Sequence, residues 1–132
     1  VVVRVGDVVN NQSMQVIYNL FDSPIKHQTS DSARLMLLRT RNEISNIIGD
    51  FEQKRQELLD QIGVEREEEI KHEDKETYYM GLYELGKQEV EIENRLPMAA
   101  LKWVDADFST NDIGIISYLL EETQDENECT TG

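Results

Sequence analysis

No proline and only one glycine, Gly49, interrupt the chain between Asp31 and Ile62. Along that stretch Leu37, Ile44, Ile48, Phe51, Leu58 and Ile62 recur at steps of seven, four, three, seven and four, with Arg41 and Arg55 filling the gaps. The spacing predicts one helix of about 32 residues, ~48 Å long at the α-helical rise. A chain of 132 residues makes a globule narrower than that. The helix must therefore protrude, bend near Gly49, or pack along a partner helix from this chain or from a second copy. Arginine on an apolar seam is costly to bury alone, so acidic partners are expected beside Arg41 and Arg55.

The remaining sequence is read around that rod. Val1–Val5, Gly6-Asp7 and Val8-Val9 predict two short β-branched strands about a turn. Ser13–Phe21 places Val16, Ile17, Leu20 and Phe21 on one helical face, capped by Asn11 or Ser13 and ended before Pro24. After a connector, Thr29, Ser30 or Asp31 caps the long helix, and Gly63-Val64 closes it. Asp74–Gly86 returns to helix with Tyr78, Tyr79, Leu82, Tyr83 and Leu85 on one side, forming a helical hairpin with the first. Glu89-Val90-Glu91-Ile92-Glu93 alternates as a half-buried strand, and Ala99–Val104 predicts a second strand or extended segment. Ser109 or Thr110 caps a last helix over Ile113–Glu122 that buries Ile113, Ile116, Leu119 and Leu120. The expected fold is α+β and mostly α: a long helical hairpin with a small mixed sheet at one end and a C-terminal helix. Residues 1–122 form one domain in this reading, and 123–132 a flexible acidic tail.

Charge narrows the partners. The formal net charge is −14, and it is uneven. Residues 1–64 hold eight acidic and seven basic side chains, whereas residues 65–132 hold nineteen and six. Such a field repels phosphate backbones and anionic membrane surfaces, so neither direct nucleic-acid binding nor membrane binding is expected. Cys129 is the only cysteine, so no intrachain disulfide and no cysteine-rich zinc site can form. No apolar run reaches the ~20 residues that span a bilayer. Val1–Val5 is too short for the apolar core of a signal peptide.

Catalytic devices are not recognisable. His27 and His72 are the two histidines, and His72 lies among Glu67, Glu68, Glu69, Glu73 and Asp74. That spacing fits neither an HExxH helix nor a calcium loop with its central glycine, so a solvated acidic linker or frayed helix end is the plainer reading. Cys129 has no rigid scaffold to hold a base beside it. Glu89, Glu91 and Glu93 share the solvent face of their strand instead of facing each other across a cleft. The glycines are isolated and build no phosphate loop. No enzyme and no cofactor is therefore expected. Tyr78, Tyr79 and Tyr83, with Trp103 and Phe108, stand out instead, because tyrosine and tryptophan combine apolar area with a polar handle at protein interfaces, although core packing is the plainer reading of them.

The order of phrases resembles a family of short acidic proteins, of uncharacterised function, carried by tailed phages that infect Gram-positive bacteria. The phrases concerned are Gly6-Asp7-Val8-Val9-Asn10-Asn11, Phe51-Glu52-Gln53-Lys54-Arg55-Gln56-Glu57-Leu58-Leu59, Glu89-Val90-Glu91-Ile92 and Ser109–Glu122. The stretch from Pro97 to Ser109 and the tail after Glu122 depart from that pattern. The resemblance implies a viral accessory protein made in the bacterial host cytoplasm and lends no catalytic residues. Together these readings predict a non-catalytic phage protein that binds a host or viral protein. Its interaction residues are expected among Tyr78, Tyr79, Tyr83, Trp103, Glu67, Glu68, Glu69, Glu73 and Asp74. Two alternatives stand beside it: an acidic nucleic-acid mimic that inhibits a DNA- or RNA-binding enzyme, and a structural or assembly-chaperone oligomer, in its simplest form a homodimer.

Overall fold

The computed structural model describes residues 1–121. The predicted tail over 123–132, with Cys129, lies outside the described residues.

The long helix forms as its sequence requires and spans Asp31–Ile62 (α3), 32 residues. The Ser30 hydroxyl accepts from the Ala33 N–H at 3.1 Å, and Asp31 sits in the first turn, where a carboxylate meets the positive end of the helix dipole. At the other end Gly63 takes a left-handed conformation, φ 95°, and its N–H reaches the Leu59 carbonyl at 2.9 Å. Only glycine adopts that backbone without penalty from a Cβ, which makes Gly63 the stop. Leu37 and Ile44 of the predicted stripe are buried, and Ile48, Phe51, Leu58 and Ile62 are half-buried. Both arginines have acidic neighbours: Arg41 stands 3.7 Å from Asp22, and Arg55 3.0 Å from Glu52. Gly49 lies exposed at mid-helix, and nothing comes within 4 Å of where its Cβ would stand. It costs roughly 1 kcal/mol of helix propensity relative to alanine with no return inside the chain.

A rod of this length is covered by two different partners. A helix over His72–Lys87 (α4) runs back along its C-terminal half, which is the predicted hairpin with α4 beginning two residues earlier than expected. The helices meet closely at Gly81, where a Cβ would lie 2.9 Å from both Leu58 methyl carbons. Beyond α4 the chain continues along α3 in extended form, tied down by Thr40 and Glu43. The Glu43 carboxylate accepts from the Glu93 N–H at 2.9 Å and the Asn94 N–H at 2.7 Å, and from the Asn94 side-chain amide at 3.1 Å. The buried Thr40 hydroxyl donates to the Asn94 carbonyl at 2.7 Å. Partial burial pushes the Glu43 carboxyl up, but these three donors outweigh it and hold the group below the ordinary carboxylate range. The stabilisation therefore exists above the unfolded pKa and is lost as pH falls through the lower, folded one. Glu43→Gln is expected to cost about 1–3 kcal/mol at neutral pH and to flatten the acid limb of stability, checked by urea unfolding at a series of pH values.

The N-terminus differs from expectation. Val2–Arg4 (β1) is a strand, but Val5–Val9 (α1) is a helical turn, not a second strand. Val5 and Val8 stand three apart and are both buried, so helical spacing serves them better than alternation, and the Asp7 carboxylate accepts from the Arg4 N–H at 3.4 Å across the first turn. Gly6 packs on Gly86 of α4, where a Cβ would come 3.1 Å from the Gly86 carbonyl oxygen. The second helix runs Asn11–Asp22 (α2), and its cap is Asn10, neither Asn11 nor Ser13. One Asn10 side chain serves two helices: its oxygen accepts from the Ser13 N–H at 2.9 Å, while its amide donates to the Gly6 and Asp7 carbonyls at 3.0 and 3.1 Å.

The sheet is smaller than predicted and antiparallel, not mixed. β1 pairs with Glu89–Glu91 (β2), with Val3 opposite Val90. Ala99–Val104 does not extend it: Met98–Lys102 is a 3-10 helix that buries Ala100. Pro97, which donates no hydrogen bond, opens this turn, and only Val104 keeps an extended contact, a bridge to Ile25. The last helix is also shorter than expected. Ser109 caps Thr110–Ile115 (α5) in a reciprocal box with Asp112, after which Ser117–Leu119 tightens to 3-10 and Leu120 bridges Leu96. Ile116, Leu119 and Leu120 are all buried across the switch, and Ile113 is half-buried.

These elements close one main cluster around Val8, Leu20, Leu37, Ile44, Ile92, Leu96, Val104, Ile116 and Leu119. At its edge the Tyr118 and Ser13 hydroxyls meet at 2.7 Å. Burial pushes the Tyr118 phenol up to about 12, the Ser13 hydrogen bond opposing and the nearby Asp7 charge adding to it. Because the folded pKa is raised, this contribution is complete below the ordinary tyrosine value near 10 and is lost as pH rises toward about 12. Alkaline unfolding should therefore steepen between those values in the native chain and be flatter in Tyr118→Phe, read from the denaturation midpoint against pH.

Candidate interaction surface

The hairpin tip carries a second, smaller core of Leu59, Ile70 and Tyr78, flanked by Leu58, Ile62, Val64 and Leu82. Tyr78 is fully buried and reaches across from α4 to both sides of the turn. Its hydroxyl donates to Glu67 at 3.3 Å and accepts from Arg55 at 3.4 Å, and Arg55 in turn holds Glu52 through two nitrogens at 3.0 and 3.1 Å. Burial raises the Tyr78 phenol above its ordinary pKa, partly countered by Arg55. The second Glu67 oxygen accepts from Tyr79 at 3.1 Å, and that hydrogen bond and the carboxylate charge raise the Tyr79 phenol as well. The two rings meet edge to face with centroids 5.4 Å apart. Glu67 is thus committed to closing the turn, on a 3-10 helix over Glu67–Glu69.

Helical geometry then divides the tyrosines that the sequence groups together. Tyr78, Leu82 and Leu85 face inward, whereas Tyr79, Met80 and Tyr83 point out with 50%, 54% and 61% of their surface exposed. Tyr79 and Tyr83 are four apart and share one outward stripe. The Lys87 ammonium lies 5.1 Å from the centre of the Tyr83 ring, so this face already holds a cation from its own chain. Met80 was not among the expected residues, although a methionine one position after Tyr79 falls on the outward side of the helix.

Of the acidic residues in the predicted set, Glu68, Glu69 and Glu73 are exposed. Glu69 accepts from Arg66 at 3.4 Å, and Glu73 and Asp74 occupy the first turn of α4. Asp74 lines a shallow hollow with Leu58, Gln61, Ile62, Thr77 and Tyr78. Trp103 does not join this region. It packs half-buried on the main cluster, and its carbonyl accepts from the Lys26 N–H at 2.8 Å and the Thr29 hydroxyl at 3.2 Å. Phe108 belongs to that cluster too.

Among the described residues, no group of three or more His, Cys, Asp or Glu side chains is arranged to hold a metal ion, and no helix is long and apolar enough to cross a membrane. Compared with protein-family models, with curated proteins and with solved structures, the chain matches none.

Proposed function

We propose that this chain is a non-catalytic protein-binding module that docks through the outward face of α4, and that its partner presents a basic and apolar surface. The observation that carries this reading is the outward stripe of Tyr79, Met80 and Tyr83, each at least half exposed on a helix whose other face is packed. Free-standing aromatic and thioether groups on one helical face cost solvation and supply the large, adaptable contact area of interface centres. The surrounding carboxylates repel anions and draw cations, and Lys87 over Tyr83 shows the kind of group the ring accepts. The resemblance to phage proteins makes a host or viral protein in the bacterial cytoplasm the partner to seek.

The exposed run through Glu65, Glu68, Glu69 and Glu73 supports a second version, in which the partner is an enzyme whose basic groove normally holds nucleic acid. Salt separates the two. A complex centred on the Tyr79, Met80 and Tyr83 stripe should keep its affinity within about tenfold when the Debye length falls from roughly 10 to 3 Å, whereas a nucleic-acid mimic should lose several orders of magnitude. Retention of a bacterial protein by the immobilised chain at low and at high salt is the measurement. Release of every bound protein by salt alone, with Tyr83→Ser as retentive as the native chain, contradicts the α4 stripe as the docking centre.

A further inference from the structure

A second exposed surface runs along α3, where Arg41 is paired loosely within the chain to Asp22 at 3.7 Å and Glu52 to Arg55 at 3.0 Å, pairs that a neighbouring copy would have to exchange. Leu38, Arg41, Ser45, Gly49, Glu52 and Gln56 follow one another at steps of three and four, so they form one stripe, which runs along the flank of the helix where Arg41 and Ser45 adjoin α2. Leu38 is 48% exposed, and the Arg41 and Glu52 side chains are 53% and 50% exposed. Ser45 and Gly49 leave the middle of the stripe nearly flat, with open space above Gly49. Beside it Tyr18 of α2 stands 66% exposed at the rim of a groove that also includes Met14, Arg41, Ser45 and Ile48.

We infer that this face binds a second copy of the chain, with the two α3 helices antiparallel across a two-fold axis near Ile47. Turned end for end about that point, the stripe complements itself. Leu38 comes opposite Gln56, Ser45 opposite Gly49, and Arg41 opposite Glu52 on the same flank of the seam. A two-fold operation makes each such pair twice, which closes the assembly at a dimer instead of a filament. The absent Gly49 side chain lets the helices approach and leaves room for Tyr18 of the other copy. Charge selects this face as well: residues 1–64 are nearly neutral, with eight acidic and seven basic side chains, while the acidic second half would repel its own copy. The inference does not depend on the α4 surface, which lies elsewhere on the hairpin.

Sedimentation equilibrium of the full chain over a range of concentrations tests it, with Arg41→Glu, Glu52→Arg and Gly49→Gln beside the native sequence. The native chain should be dimeric at high concentration. Each charge reversal should weaken self-association about tenfold or more, because it sets like charges together twice. An equal mixture of Arg41→Glu and Glu52→Arg should recover association as a heterodimer, since both flanking pairs are again of opposite sign. Gly49→Gln, at a site with no intrachain neighbour, should keep or raise helix content by circular dichroism while losing the dimer. A native chain that stays monomeric throughout, a Gly49→Gln chain that dimerises like the native one, or two folded reversal variants that fail to pair when mixed would overturn the inference.

Discussion

Replacing Tyr78 by alanine is expected to remove about 3–5 kcal/mol from the hairpin tip and far less from the rest of the molecule. Among the described residues Tyr78 is the largest fully buried side chain, and only Leu59 and Ile70 are buried in the cluster with it. That cluster is otherwise aliphatic, with no second aromatic ring to fill the space. Its loss should free the turn over residues 63–71 and fray the start of α4, because Glu67 then loses its bond to the Tyr78 hydroxyl and Arg55 keeps only Glu52. The main cluster is built from different residues and should persist. Hydrogen exchange separates the two: amides of α4 should lose protection by several orders of magnitude while those around Leu37 and Ile44 change little. The single tryptophan, Trp103, packs on the main cluster and should keep its native emission. Tyr78→Phe retains the ring and should cost only about 1 kcal/mol, its hydrogen bonds being 3.3 and 3.4 Å long. Uniform loss of protection across both cores in Tyr78→Ala would show that the tip and the main cluster unfold as one unit.

The second large effect is expected at Leu119. Its side chain is fully buried in the main cluster, and its carbonyl accepts from the Leu96 N–H at 2.7 Å. Leu119→Ala should cost about 3–5 kcal/mol, since the transfer loss and the cavity both fall where Leu96, Ile116 and Val104 are already fully packed. The short 3-10 turn over Ser117–Leu119 has few hydrogen bonds of its own and depends on that packing. Its release would also separate Tyr118 from Ser13, so the Tyr118 phenol should titrate nearer its ordinary value. Urea unfolding followed through Trp103, with an ultraviolet titration of the phenols, reads both effects. A loss below about 1 kcal/mol would mean that the C-terminal segment is not part of the cooperative core.

The two cores were unequally legible in the amino-acid sequence. The long helix announces itself through an unbroken stripe, a serine cap and a glycine stop, which are all local signals, and its bounds follow from them. The alternation of Val90 and Ile92 marks β2 in the same way. Val5-Gly6-Asp7-Val8-Val9 misleads because β-branched residues favour strands only when packing agrees, and here Val5 and Val8 are buried on one side of a helical turn against α4. Ala99–Val104 and Ile113–Leu120 mislead for a related reason: short 3-10 turns obey tertiary packing more than periodicity. At the tip, Tyr78, Tyr79, Leu82, Tyr83 and Leu85 overfill one face of a helix, and only the closeness of Gly81 to Leu58 determines which of them turn inward. Trp103 is an aromatic side chain of the right kind in the wrong core. What the outward tyrosines do is not legible in the sequence, because exposure is a property of the fold.

The central claim, that the outward face of α4 is where another protein docks, is tested most directly by placing a photo-reactive amino acid at position 80, with position 46 on the outer side of α3 as the comparison. After illumination in bacterial lysate, the account predicts one competed adduct between position 80 and a different protein, abolished by excess native chain and by Tyr83→Ser. Position 46, which lies off both proposed binding faces, should yield no competed adduct to a different protein. Absence of any competed adduct from position 80, or capture of the same foreign protein from position 46 alone, would contradict the assignment of the binding face to α4.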